Sequence, residues 1–183
     1  YAGTLRLASD VVLDAGSADL RFLSEIRSTV GKRGVLLQEM GSSGRLALSA
    51  DGTTLFAADA ATREIRIADL RGGQSDPITI NVGSSIGHLL LDEDNNRLYM
   101  SNPDEGLVSI LDLGSQQIAG VIGVGGRPES LAFSPADQRL FVVNPPRNVV
   151  TVIATATNDI AGELAVTGSP VSAQVGPEGH LWI

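Results

Sequence analysis

Four segments of this 183-residue chain repeat one pattern at a nearly constant interval. They are LALSADGTTLFAAD from Leu46, LLLDEDNNRLYMSN from Leu89, LAFSPADQRLFVVN from Leu131, and the looser SAQVGPEGHLWI from Ser172. Their anchors Leu55, Leu98, Leu140 and Leu181 are spaced 43, 42 and 41 residues apart. A period held this closely constrains the fold more than any composition. A unit of that size cannot bury its faces alone and must stack on its neighbours.

Each unit continues in the same manner. EIRIADLRGGQSDPITINVG, LVSILDLGSQQIAGVIGVG and VVTVIATATNDIAGELAVTG each read as an alternating run, a polar turn and a second alternating run. Alternation such as Ile65/Ile67 or Val108/Ile110 has period two, the signature of a half-buried strand. The best helical candidate, SADLRFLSEIRSTV at 17–30, aligns with the EIRIAD position of later units and reads as the third strand of a degenerate first unit. The turns SADG, DEDNN, SPADQ and GPEG are rich in residues that bond their own backbone or tolerate positive φ, as a hairpin between strands one and two requires. The links GSSG, GSSIG, GVGGRP and TGSP mark the unit borders.

Four strands per repeat of about 42 residues predict an all-β fold, a β-propeller of four-stranded antiparallel blades. The units fall at 1–43, 44–86, 87–128, 129–168 and a partial 169–183. An arc of this kind leaves sheet edges open. Residues 171–183 and 19–40 can close a four-bladed ring between them, but residues 1–18 then have no place. The favoured expectation is an incomplete propeller that is part of a larger ring.

Composition narrows the function. A formal net charge of −8 argues against nucleic-acid binding, which relies on Lys and Arg neutralising phosphates. With no cysteine, thiolate nucleophiles and cysteine-based metal sites are excluded. No apolar run is long enough for a membrane helix, so no membrane insertion is expected, and no signal peptide is read in YAGTLRLASD. Val, Leu and Ile supply the apolar content and aromatics only 4%, which suits pleated sheets.

The stretch IGVGGRPESLAFSPADQRLFVVNPPRNVVTVIATATNDIAGEL resembles the YVTN-type β-propeller repeat: a VG-x-x-P link, an SPDG-like turn, a YVxN strand and a VxVID strand. FVVN at 141–144 and YMSN at 99–102 keep the Asn, whereas FAAD at 56–59 has Asp instead. The ending PEGHLWI is also similar to NHL and lactonase-like propellers, and no Trp-Asp pair of the WD type recurs. The resemblance implies a prokaryotic protein located outside the cytoplasm, in the periplasm, on the cell surface or secreted.

Candidate ligand-binding residues come from repeat-equivalent positions. Arg45, His88 and Ser130 enter the innermost strand of three units, and Arg127 lies in the link before Ser130. A propeller places such positions near one mouth of its central channel, where they can converge on an anionic or polar ligand. Asp59, Asn102 and Asn144 recur at the end of strand two, where they can ring a polar ligand or cation, or else satisfy backbone groups of the loop that follows. Asp69 and Asp112, ending strand three, share the backbone reading.

No metal site is expected. DEDNN at 92–96 has Arg97 where a calcium loop needs Gly and Pro103 where it needs the bidentate acid, and His88 and His180 belong to different units. No catalytic residue is nominated, because there is no nucleophile elbow and no carboxylate is embedded in an apolar strand. No cofactor is called for.

The leading expectation is a non-enzymatic binding module, with a protein or small polar ligand on one face and SNPDEG (101–106) and NPPRN (144–148) as recognition loops. The alternatives are a segment of a lactonase or of a quinone- or haem-dependent oxidoreductase, and a structural segment of a larger surface or filament protein. In the structural case, self-association or the remainder of a longer chain would cover the open edges.

Overall fold

The computed structural model describes residues 4–6, 12–14, 45–71 and 76–183. The third-strand reading of 17–30, the closure route through 19–40 and the link at 41–44 lie outside the described residues. A hairpin of β1 (Thr4–Arg6) and β2 (Val12–Asp14) pairs Leu5 with Leu13. Three four-stranded antiparallel meanders follow. The first is β3 (Leu46–Leu48), β4 (Thr54–Asp59), β5 (Glu64–Asp69) and β6 (Ile78–Asn81). The second is β7 (Leu89–Asp92), β8 (Arg97–Asn102), β9 (Leu107–Asp112) and β10 (Gln117–Gly123). The third is β11 (Ser130–Ser134), β12 (Arg139–Asn144), β13 (Val149–Ala154) and β14 (Asp159–Ala165). A last hairpin, β15 (Gln174–Val175) and β16 (Leu181–Trp182), occupies the place of the first two strands of another blade.

The innermost strands lie side by side, β7 between β3 and β11, and β11 between β7 and β15. The described chain is therefore an arc of propeller blades. Period-two alternation directs successive side chains of each strand to opposite neighbours. On β8, Leu98 and Met100 pack with Phe56, Ile65 and Ile86 of the first blade and its link. Tyr99, one position over, packs with Leu131, Leu140, Val142 and Ile153 of the third. The core is thus a series of layers between blades, and each fully buried Leu or Ile contributes about 2 kcal/mol of transfer free energy.

The turns share one conformation. Arg63, Asn96, Gln116, Gln138, Asn148 and Asn158 all have φ between 50° and 62°, and each immediately precedes a strand. Such a left-handed residue closes a hairpin in the sense of strand twist, and Asn tolerates it best. The two longer outer strands are interrupted. β10 shifts register between Ile118 and Gly120, leaving Ala119 as the extra residue. β14 does the same opposite Val152 and Ile153, leaving Ala161. These are β-bulges at a sheet edge. The shorter β6 keeps straight register and is preceded by Pro77.

Candidate functional site on the link face

The links between blades and the loops from strand two to strand three lie on one face of the arc, because strand one leaves from that face and strand two returns to it. Register places the entry residues at matching levels of their blades. The amide of Ala58 donates to the Arg45 carbonyl at 2.8 Å, that of Ser101 to the His88 carbonyl at 3.0 Å, and Ser130 pairs with Val143. Arg45, His88 and Ser130 therefore open the innermost strands of consecutive blades at one level, as the repeat alignment anticipates.

Their surroundings differ. Arg45 is exposed and Ser130 is buried. His88 is half-buried, and its backbone N–H donates to Ser101 Oγ at 2.8 Å. Its Nδ1 is enclosed without a hydrogen-bond partner. Burial holds the imidazole below its ordinary pKa of 6.5, so His88 is neutral at pH 7. It can offer a neutral donor or acceptor, not a cation. Arg127 is exposed, and its guanidinium meets Asp104 at 3.0 Å and Glu129 at 3.4 Å. Exposed pairs of this kind are worth at most about 1 kcal/mol, so Arg127 can exchange them for a bound anion at little cost.

The strand-two termini behave in two ways. Asp59 Oδ1 accepts from the amides of Ala61 (2.9 Å) and Thr62 (3.1 Å), an Asx turn in the following loop. Slight burial pushes its carboxyl up, but these amides outweigh it and leave the pKa lowered. Asn102 and Asn144 instead reach back to the link that precedes their own blade. Asn102 Nδ2 donates to the Ser85 carbonyl at 2.6 Å, and its Oδ1 accepts from Ser109 Oγ at 2.6 Å. Asn144 Nδ2 donates to the Gly125 carbonyl at 2.6 Å, while its Oδ1 accepts from the Arg127 amide at 3.0 Å. An amide carries both a donor and an acceptor and can clamp a backbone segment that a carboxylate cannot. Gly126, at φ +60°, passes so close that a Cβ there would meet Asn144 Oδ1 and the Arg147 side chain. A side chain at this position would break the clamp.

The loops expected to carry recognition are tied inward. In 101–106, the Asp104 amide donates to Ser85 Oγ at 3.1 Å, and Ser85 Oγ donates to Glu105 at 2.6 Å. In 144–148, Pro145–Arg147 forms a 3-10 turn, from which Arg147 donates to the Val124 carbonyl (2.8 Å) and to Glu163 (2.6 Å). Ser85, which sequence reading passed over, is the hub of the first loop. Its signal was the Ser pair shared by the links GSSG and GSSIG.

The opposite face holds the remaining acids. Asp69 Oδ1 accepts from the Arg71 amide at 2.8 Å and Asp112 Oδ1 from the Ser115 amide at 2.7 Å. Both are turn-forming. In DEDNN, Asp92 is buried and its Oδ2 accepts from Asn95 Nδ2 at 2.9 Å. Among the described residues no group of three or more His, Asp or Glu side chains is placed to hold a metal ion.

No protein-family model and no curated protein sequence matches the chain. Solved structures do. One chain of Kuenenia stuttgartiensis hydrazine synthase matches at a TM-score of 0.68 and 22% identity, covering 82% of this chain and 44% of that one. Apo AztD from Citrobacter koseri matches at 0.58 and 16%, covering 66% and 34%. A chain of the mitotic checkpoint complex matches at 0.63 and 15%, covering 73% and 43%. The matched region spans less than half the length of each of these propeller-type chains. At such identities the likeness is one of fold, and the fold of this chain is an arc of four-stranded β-propeller blades.

Proposed function

We propose that the chain is a non-enzymatic β-propeller binding module of YVTN type, acting outside the cytoplasm of a prokaryote. Its ligand is a small anionic or polar molecule, or a protein group of the same chemistry, held on the link face at Arg45, His88 and Arg127. The observation that carries this reading is positional. Arg45 and His88 open consecutive innermost strands at the same level, and Arg127 stands in the next link on the same face. Two guanidinium groups supply charge, and the half-buried neutral imidazole between them in the repeat order supplies an uncharged polar ring. The extracytoplasmic location rests on the YVTN resemblance of the repeats.

The test titrates citrate, inorganic phosphate and a Glu-rich peptide into the full chain by calorimetry, beside the Arg45→Ala/Arg127→Ala double variant. At least one probe is expected to bind saturably and to lose tenfold or more in affinity in the variant, with the melting temperature unchanged. Equal affinity in both proteins, or no saturable binding of any probe, refutes the proposal.

A further inference from the structure

Asp51–Gly52 is the one place in the sequence where an Asp or Asn precedes glycine. Such a pair is chemically distinctive. Glycine carries no side chain to shield the preceding carboxyl from its own amide nitrogen, and that nitrogen can attack the acid and reroute the backbone through the side chain. The pair lies in the turn that joins β3 to β4, on the face opposite the links, and Asp51 is exposed to solvent.

The turn ties down both reacting groups. Asp51 Oδ1 accepts from Ser49 Oγ at 2.7 Å, from the Thr53 amide at 3.0 Å and from Thr53 Oγ1 at 2.8 Å. These bonds, that of Ser49 first, hold the carboxyl at about 2, down from 3.8. The attacking nitrogen is engaged as well, because the Gly52 N–H donates to the Ser49 carbonyl at 2.8 Å. Ser49 thus restrains the acid with its hydroxyl and the amide with its carbonyl. The equivalent turns of the later units keep the cradle without the pair. Ser134 Oγ donates to Asp137 at 2.8 Å, but Gln138 follows, and Asp92 accepts from Asn95 at 2.9 Å, but Glu93 follows.

We propose that Asp51–Gly52 is a site of backbone isomerisation to isoaspartate, closed in the folded chain by the Ser49 and Thr53 hydrogen bonds and opened when this turn unfolds. The site is independent of the link-face reading. In the reaction the Gly52 nitrogen bonds to Asp51 Cγ, and the carboxyl hydroxyl leaves with the amide proton as water, giving a cyclic imide. Water then adds to one of the two imide carbonyls. Opening at Cγ restores aspartate, whereas opening at the main-chain carbonyl leaves the backbone running through Cβ and Cγ, with no net change in mass. The first step needs the neutral acid, because hydroxide is the group that must leave. At a pH above 3.8, lowering the carboxyl to about 2 cuts the neutral form by roughly 60-fold. The product carries an extra atom in the main chain of the turn whose Ala50 amide donates to Glu93 of the second blade at 2.6 Å. A transient opening thereby becomes a lasting change in the hairpin.

The test holds the full chain at pH 5, folded in buffer or unfolded in guanidinium chloride, and follows the tryptic peptide 46–63 by liquid chromatography with fragmentation that separates isoaspartate from aspartate. Isoaspartate at position 51 is expected to accumulate in the unfolded chain, and at least tenfold more slowly in the folded one. Ser49→Ala, with an unchanged circular dichroism spectrum, is expected to approach the unfolded rate. Thr53→Ala removes only the hydroxyl bonds and is expected to fall between the two, which keeps the proposal testable where Ser49→Ala does not fold. Asp137, followed by Gln138, is expected to stay unmodified in every sample. Equal rates in the folded and unfolded wild type overturn the proposal. So does a folded Ser49→Ala or Thr53→Ala that reacts no faster than the wild type, and so does an unfolded chain that forms no isoaspartate at position 51.

Discussion

Truncating Asn144 to alanine tests whether the reach-back clamp holds the link to its blade. The side chain is 0% exposed and makes two short bonds to the link backbone, Nδ2 to the Gly125 carbonyl at 2.6 Å and Oδ1 from the Arg127 amide at 3.0 Å. A third, longer contact to the Val124 carbonyl is expendable, because Arg147 also donates to that oxygen at 2.8 Å. Each lost bond removes about 1 kcal/mol, and the enclosed volume left by the amide adds a little more, for about 2–3 kcal/mol in all. In a domain of this size that corresponds to a melting temperature lower by about 5–10 °C. The matched control is Asp59→Ala, which removes only an exposed Asx turn and costs about 0.5–1 kcal/mol. Urea denaturation followed by circular dichroism measures both. Equal losses in the two variants would refute the clamp and leave Asn144 an ordinary turn residue.

Tyr99→Phe removes a hydroxyl that is enclosed without a hydrogen-bond partner, so stability is expected to stay constant or rise by about 1 kcal/mol; a loss above about 1 kcal/mol in the same assay would show that the hydroxyl is satisfied. Hydrogen bonds from Ser49 and then Thr53 hold Asp51 at about 2, down from 3.8. A depressed carboxyl stabilises the fold above its unfolded pKa and stops doing so as pH falls through the folded value, so the melting temperature should drop between about pH 4 and pH 2. Asp51→Ala should shrink that drop, and an identical acid profile would contradict the assignment. His88 should titrate with a midpoint below 6.5 in a proton NMR series, and acidification below 6.5 should destabilise the wild type more than His88→Gln; a midpoint at or above 6.5 would mean that the imidazole is hydrated.

The arc was legible in the sequence because its signals are local. Alternation at Ile65/Ile67 and Val108/Ile110 falls in β5 and β9, and the Asp- and Asn-rich turns sit where strands one and two meet. The anchor leucines occupy matching register positions, Leu55 opposite Leu48, Leu98 opposite Leu91, and Leu140 opposite Phe133. The work of Asn102 and Asn144 was not legible. The link groups they bind, the Ser85 and Gly125 carbonyls and the Arg127 amide, lie 17–19 residues earlier in the chain, and a backbone group carries no residue identity. Composition made the same motif Asn look like a local turn former, and only for Asp59 is the loop beyond it the partner. The enclosed nitrogen of His88 was hidden for a similar reason, since burial is set by tertiary packing and not by the residue's sequence neighbours.

The bulges at Ala119 and Ala161 have a bearing on the life of the protein in a crowded compartment. Outer strands bare their backbone to whatever drifts past, and β14 is exposed along its whole length. A strand broken by a bulge offers no unbroken run of amides for a stranger to copy, and the short β6 offers few. Each bulge thus guards the rim of its blade against pairing edge to edge with a foreign strand.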